Sequence, residues 1–294
     1  NKGLKLNEYG LFKGTTIVAG KTEQDIYKKL GLPFIEPELR ENSGEFEAKQ
    51  LPNLIGYNDM RGDCHMHTTA SDGANTAEEM VKAAIAKGYE YIAITDHSKS
   101  SYIANGLDEK RLHKHHAALE ALQKKYGDIT ILKGSEVDIK SNGELDYSPA
   151  ILKGIDVVMA SVHQRFKMTR EEATKRYLKA INSGHITCIS HPTGRLIHER
   201  EAFEFDFEKV AEAAKEASVA LEINSSPSRL DLKDTHIKIA KEFGAKFLIN
   251  TDSHSTNHLR FMELGIAQAR RGWLEAKDVL NTLPTKQFLR AIQK

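Results

Sequence analysis

From Arg61 to the end of the chain, short apolar runs alternate with amphipathic stretches at helical spacing. The runs are Gly62 to His65, Tyr91 to Thr95, Ile129 to Leu132, Asp156 to Val162, His185 to Ser190, Val219 to Ile223 and Lys246 to Asn250. Their β-branched content and turn-like flanks mark them as strands. Between them, helices are expected from Thr76, as N-cap, to Ile85 with an end near Gly88. Others are expected over Glu109 to Tyr126, Glu171 to Ser183, Phe207 to Ala217 and Thr235 to Phe243. Such repetition builds parallel strands joined by right-handed crossovers, and so an α/β fold. No Gly-x-Gly-x-x-Gly follows any run, which favours a closed or nearly closed barrel over a dinucleotide-binding sheet.

Barrels of this kind place their chemistry at the C-terminal ends of the strands. Nine potential metal ligands stand at those ends: His65, His67, Asp72, His97, Glu136, His163, His191, Asp252 and His254. His65 and His67 are two residues apart, so on a strand their rings share one side. Asp252 and His254 repeat that spacing on the last run, which neighbours the first if the barrel closes. A single strand-end histidine is more often an ordinary hydrogen-bonded residue. The shared position of all nine points instead to a multinuclear metal site. Imidazoles and carboxylates without thiolate suit Zn²⁺, Mn²⁺ or Fe²⁺, and the Glu136 carboxylate can bridge two cations.

Clustered divalent ions lower the pKa of bound water and clamp both oxygens of an in-line phosphoryl displacement, so phosphate-ester hydrolysis is the expected reaction class. Arg195, in His191-Pro192-Thr193-Gly194-Arg195, offers a planar fork for a phosphate. Arg165, Lys167, Arg200 and Arg229 follow other strand ends and would form a basic rim. The remaining histidines lack this context. His113, His115 and His116 lie on a charged helix and read as solvated. His185 begins a run rather than ending one, and His198, His236 and His258 match no strand end.

The 42 basic and 41 acidic side chains give a net charge of +1, which argues against a sequence-independent grip on DNA from net charge alone. The two cysteines, Cys64 and Cys188, form neither a disulfide framework nor a zinc ribbon, and with no signal peptide or membrane span the expected setting is the cytoplasm. Residues 1–58 differ from the rest. Leu4 to Phe12 alternates like a half-buried strand, Thr22 with Asp25 caps a short helix through Leu30, and a charged linker follows Leu32 to Glu38. The opening Asn1-Lys2-Gly3 hints at a piece of a longer chain.

His65-Met66-His67, Ser71-Asp72-Gly73, Asp96-His97, Gly134-Ser135-Glu136, Val162-His163, His191-Pro192 and Asp252-Ser253-His254 together resemble the PHP (polymerase and histidinol phosphatase) superfamily. The resemblance implies a distorted (β/α)7 barrel with a trinuclear metal site at the C-terminal ends of the strands. It implies that one ion takes His65, His67, Glu136 and Asp252. A second takes Glu136, His163 and His191, and a third takes Asp72, His97 and His254. Some relatives carry histidine where this chain has Asp72.

A narrower likeness joins Asp63 to Thr68, His191 to Leu196, Leu221 to Asn224, Arg229 to Leu232 and Ala269 to Leu274. These stretches resemble the PHP domain of bacterial family X DNA polymerases, with Cys64 in place of an aliphatic residue. Leu6 to Phe12 and Leu32 to Ile35 resemble the end of a polymerase thumb and its linker. This likeness implies a thumb tail over 1–58 and a PHP phosphoesterase domain over 59–294. It implies a manganese-favouring 3′–5′ DNA exonuclease for repair or proofreading, acting on DNA with a free 3′ end. The polymerase core would lie in the same parent chain, so no polymerase activity is expected here. The alternatives are a small-molecule phosphatase of the histidinol-phosphate type and a non-catalytic scaffold.

Overall fold

The computed structural model describes residues 3–293 and divides into two compact units between Leu51 and Pro52. In the first unit, β1 (Lys5–Asn7), β2 (Gly10–Lys13) and β3 (Thr16–Ala19) form an antiparallel meander. The single strand expected over Leu4 to Phe12 is therefore a hairpin. The chain reverses between Asn7 and Gly10, where the Asn7 side chain accepts the Tyr9 N–H at 3.0 Å. Short polar side chains that bond their own backbone make such turns, and here the turn residues happen to keep the alternation going. Helix α1 (Glu23–Leu30) starts at the reciprocal Thr22–Asp25 capping box and stops at Gly31, which adopts the left-handed conformation.

In the second unit, seven parallel strands run in the order β10-β9-β8-β7-β6-β5-β4. They are β4 (Gly62–Asp63), β5 (Tyr91–Ile94), β6 (Thr130–Asp138), β7 (Val157–Ser161), β8 (Cys188–Ile189), β9 (Ala220–Asn224) and β10 (Phe247–Asn250). Around them lie α2 (Ala77–Ala86), α3 (Glu109–Lys125), α4 (Pro149–Leu152), α5 (Arg170–Ile181), α6 (Phe207–Glu216), α7 (Asp234–Glu242), α8 (Met262–Arg271) and α9 (Thr285–Ile292). The helices start where the sequence supplies caps: Thr76 with Glu79, Asp108, and Thr169 with Glu172.

Alternate strand residues separate two apolar layers, as a pleat requires. Ile92, Ile94, Val158, Ala160, Leu221 and Ile249 pack outward under the helices. Tyr91, Ala93, Val157, Met159, Ala220 and Leu248 fill the barrel interior. There α9 inserts Phe288, whose ring stacks on Tyr91 at 4.3 Å and plugs the N-terminal end. Polar residues then occupy the other end of the interior.

The barrel is nearly closed. Met66 and Ser253 bridge in parallel, with His67 N–H donating to Ser253 O at 2.8 Å. Because β4 is so short, side chains complete the seam. The Cys64 N–H donates to Asn250 Oδ1 at 3.0 Å, and the Thr251 hydroxyl donates to Asp63 at 2.5 Å. Near the plugged end, buried Asn281 clasps both edges. Its amide donates to Gly62 O at 3.0 Å and Ile249 O at 2.6 Å, while its Oδ1 accepts the Ile249 N–H at 3.1 Å. Asn281→Ala would strand these buried groups, and unfolding in urea should show a loss of about 3 kcal/mol. A loss under about 1 kcal/mol would mean the backbone alone holds the seam.

His236, on α7, stacks on Phe207 at 4.5 Å and is held to a pKa of about 4, first by burial and then by Lys233 and Arg195. The unfolded side chain titrates near its ordinary value, about 6.5. Between the two values the unfolded chain binds the extra proton, so stability is full above the upper value and declines as pH falls towards the lower. Unfolding free energies of the parent and His236→Leu, compared from pH 7 to 4, should converge or cross as acid is added. A pH-independent difference would remove His236 as the cause.

Candidate metal centre

All nine ligand candidates converge at the polar end of the barrel. Glu136 is central. It lies within β6 rather than after it, because that strand continues well beyond the apolar run Ile129 to Leu132. Its Oε2 stands 3.4 Å from His65 Nε2, 3.5 Å from His67 Nε2 and 3.0 Å from His97 Nδ1. Its Oε1 stands 3.2 Å from His163 Nε2 and 2.8 Å from His191 Nε2. Asp252 Oδ1 faces the same pair as Oε2, 3.6 Å from His65 Nε2 and 3.2 Å from His67 Nε2. Farther out, Asp72 Oδ2 lies 3.5 Å from His97 Nε2 and 3.4 Å from His254 Nε2. Asp72 reaches in because Gly73 lets its loop press on the first strand end, where a Cβ would meet His67 O at 2.5 Å.

These atoms suit divalent ions. Ligands about 2.1 Å from a tetrahedral ion stand about 3.4 Å apart. The four contacts of His65 and His67 with Glu136 and Asp252 span 3.2 to 3.6 Å. His65 Nε2, both nitrogens of His67, His97 Nδ1 and His191 Nδ1 are buried without a hydrogen-bond partner. Buried polar atoms are seldom left so, and lone pairs aimed at an ion would explain several of them. Three groups have ligand atoms close enough for one ion: His65, His67 and Asp252; His67, Asp72, His97 and His254; and His97, Glu136 and His163. His67 and His97 thus each face two groups, whereas the family resemblance assigned each of them to one.

Burial would raise the Glu136 and Asp252 carboxyls, but the imidazoles of His163, His65 and His97 overcome it at Glu136. Those of His65 and His67, with Arg229, do so at Asp252, and both carboxyls lie well below their ordinary values. Burial pushes His67 and His191 down to about 4, helped by other histidines around His67 and by Arg229 near His191. At neutral pH those two rings are neutral and both carboxylates charged, the forms that bind metal. Against the effect of burial, the neighbouring carboxylates raise His163 to about 10 and His254 to about 9, so an ion would have to displace their protons.

A second layer of carboxylates orients the rings, and the strand-end pattern did not identify it. Asp138 Oδ1 holds His163 Nδ1 at 2.5 Å, and Glu222 Oε1 holds His65 Nδ1 at 2.7 Å. Glu222 Oε2 also accepts the backbone N–H of His191 at 2.7 Å, which places that residue rather than its ring. The ring contacts fix the tautomer and aim Nε2 at the centre. The signal was present in each case: Glu222 is a charge inside an apolar run, and Asp138 follows Glu136 by the two residues that keep one face. Asp96 accepts from the Thr68 N–H and hydroxyl, both at 2.8 Å, and from the Ser71 hydroxyl at 2.5 Å, so it ties the first strand end to the Asp72 loop. His115 Nε2 stands 2.9 Å from Asp96, and His116 Nε2 bonds Gly134 O at 3.1 Å. The reading of His115 and His116 as solvated is therefore corrected: both turn inward from α3.

The three arginines differ. Arg195 spends its Nε on Arg229 O at 2.7 Å and its Nη2 on Leu230 O, so it braces the turn that carries Arg229. Arg229 Nε lies 3.3 Å from Asp252 Oδ2, and its Nη1 is buried without a hydrogen-bond partner. Arg165 is exposed just beyond His163.

Added Zn²⁺ or Mn²⁺ should raise the unfolding temperature of the protein, with about 2.7 kcal/mol of stabilisation at a hundred-fold excess over Kd. Glu136→Gln, which removes charge from the shared centre, should abolish most of that gain. An undiminished gain in the variant would place metal binding elsewhere.

Comparison with known proteins gives two family matches, the PHP domain over residues 63–226 and the DNA polymerase beta thumb over residues 1–41. The DNA polymerase/3′-5′ exonuclease PolX of Bacillus subtilis (strain 168) is 40% identical over 97% of this chain, which spans only 50% of that protein. A protein of Shewanella sp. (strain MR-4) named probable phosphatase is 34% identical over 65% of this chain and 75% of its own length. The histidinol phosphate phosphatase of Lactococcus lactis, solved with zinc, histidinol and phosphate, shares the fold. Its TM-score is 0.50 at 23% identity, covering 71% of this chain and 94% of that one. The buried imidazole and carboxylate cage, the seven-stranded barrel and these matches agree: the chain belongs to the PHP family of metal-dependent phosphoesterases and joins a PHP domain to a polymerase beta-type thumb segment.

Proposed function

We propose that the chain is the exonuclease part of a family X DNA polymerase, a phosphodiesterase that removes nucleotides from DNA 3′ ends in repair or proofreading. The observation that carries this reading is the extent of similarity. The PolX alignment runs through thumb and barrel over 97% of the chain, whereas the Shewanella phosphatase aligns with 65% of it. A thumb segment has no evident use in a small-molecule phosphatase. The polymerase core would precede the thumb in the same parent protein.

In this reading His65, His67, Glu136, His163, His191 and Asp252 hold the catalytic ions, with Asp72, His97 and His254 holding a third. Divalent ions in such a cage supply Lewis acidity and a nucleophile at neutral pH, and Mn²⁺ is the favoured occupant. The protein contributes placement. Asp138 and Glu222 fix the rings of His163 and His65, and the cation of Arg229 beside Asp252 offers its free Nη1 to a phosphate oxygen. Two buried free cysteines, Cys64 and Cys188, agree with a reducing cytoplasm, and no described helix is long and apolar enough to cross a membrane.

Resection of a 5′-labelled oligonucleotide with Mn²⁺ tests the proposal. The protein should produce a ladder of shortened products, and His65→Ala should reduce the rate at least about 100-fold. A second reading, a phosphomonoesterase for small substrates, draws on the Shewanella relative. Rapid turnover of histidinol phosphate with no ladder would establish it instead.

A further inference from the structure

The loop that follows β5 carries two adjacent, fully presented apolar side chains. Tyr102 is 84% exposed and Ile103 is 106% exposed, the two most exposed large hydrophobic residues described. They sit on a single 3-10 turn, Tyr102–Ala104, which ends at Asn105 in the left-handed conformation. The Tyr102 hydroxyl has no hydrogen-bond partner among the described residues, so nothing in the fold requires an aromatic residue there.

This turn is not loose. Asp138, the carboxylate that orients His163, also accepts the hydroxyls of Ser100 and, at 3.1 Å, Ser101. The Ser100 N–H donates to Asp146 at 2.8 Å, and Gln164 Nε2 donates to Ser100 O at 2.9 Å. On its far side, Arg111 Nη1 holds Asn105 O at 3.0 Å and Gly106 O at 2.9 Å, while its Nη2 bonds Ala70 O at 2.6 Å. One carboxylate thus fixes both a metal-ligand candidate and the base of an exposed aromatic turn.

Tyr102 and His163 line one cavity of about 300 Å³, together with Asp138, Lys140, Arg165 and Arg176. Arg165 makes no hydrogen bond or ion pair among the described residues, and its φ of 57° holds it in the left-handed conformation beyond His163. An exposed ring on a braced turn, beside uncommitted positive charge and at the mouth of a phosphoesterase centre, is how proteins grip single-stranded nucleic acid. The ring stacks a base, and the cations follow the backbone. A phosphomonoester with no base would use the cations alone.

We propose that Tyr102 is the stacking platform for a nucleobase near the scissile phosphate of a single-stranded DNA end, with Arg165 beside it on the phosphate chain. Tyr102 is therefore a specificity-determining residue, and Ile103 closes the apolar edge of the platform. This inference rests on the DNA reading above.

The test compares the parent, Tyr102→Ala and Tyr102→Phe with Mn²⁺ on a single-stranded 5′-labelled oligonucleotide and on bis(p-nitrophenyl) phosphate. For Tyr102→Ala, selectivity, as the ratio of kcat/KM for oligonucleotide over the small diester, should fall about 5- to 100-fold, the effect of one lost base–ring stack, and chiefly through KM. Tyr102→Phe should restore it, since the ring and not the hydroxyl does the stacking. An unchanged ratio in Tyr102→Ala beside an active parent overturns the platform and leaves the nuclease standing, as does an equal fall on both substrates. A parent that neither binds the oligonucleotide, by fluorescence anisotropy, nor cleaves it overturns both.

Discussion

Glu136 is a carboxylate that water does not reach, at the middle of a barrel whose other end is filled with hydrocarbon. Burying an isolated anion costs several kcal/mol, and the cost is met only by opposite charge or directed donors at close range. Ser161 supplies one donor at 2.5 Å, and five imidazoles supply the rest of the surroundings at 2.8 to 3.5 Å. Several of those rings are themselves buried with lone pairs that nothing in the protein satisfies. Neither set is at ease alone. Divalent cations between them would neutralise the carboxylates and occupy the lone pairs together, which ties the stability of this end of the barrel to its metal content.

The same constraint shapes the scaffold. Two of the seven strands have only two residues each, so ladder hydrogen bonds cannot hold the barrel by themselves. Polar side chains carry the seam instead and run without a break into the centre. Asn250 accepts the Cys64 N–H and donates to Glu222 at 3.0 Å, and Glu222 holds His65. Asn224 links Glu222 at 3.2 Å to Asp252 at 3.1 Å. Barrel closure and ligand placement therefore share residues. In a connected buried network of this kind, each member is worth more than its own bonds suggest.

The strand and helix alternation was legible because it obeys periods of 2 and 3.6, and the ligand positions were legible because histidines at strand ends are conspicuous. What escaped sequence reasoning had a different character. Asp138, Asp96 and Glu222 left traces in the sequence, a charge within an apolar run or beside a ligand candidate, but only their proximity to His163, the Asp72 loop and His65 shows what each one holds. His115 and His116 lie on a charged helix, and the rotation that turns them inward is set by packing of α3 against β6 rather than by local pattern. The clasp of Asn281 joins positions 219 and 32 residues away, a relation no window of sequence contains. The hairpin at Asn7 to Gly10 failed for a simpler reason, that alternation does not reveal a two-residue reversal.

A cage of imidazoles and carboxylates binds metal, and metal binds phosphate, whether the phosphate ends a small molecule or joins two nucleotides. Similarity to both a polymerase-associated exonuclease and a phosphatase is what such a cage allows. Discrimination has to come from groups that touch the rest of the substrate, and in a barrel these lie on the loops after the strands. Two such loops meet here, the turn after β5 that bears Tyr102 and the segment after β7 that bears Arg165. Asp138 bonds both Ser101, at the base of the first, and His163, at the root of the second, so the candidate ligand and the exposed turn share one anchor. On the proposed DNA reading, one buried carboxylate would hold chemistry and recognition in a single register and so keep a flexible polymer end aligned with the bond to be cut.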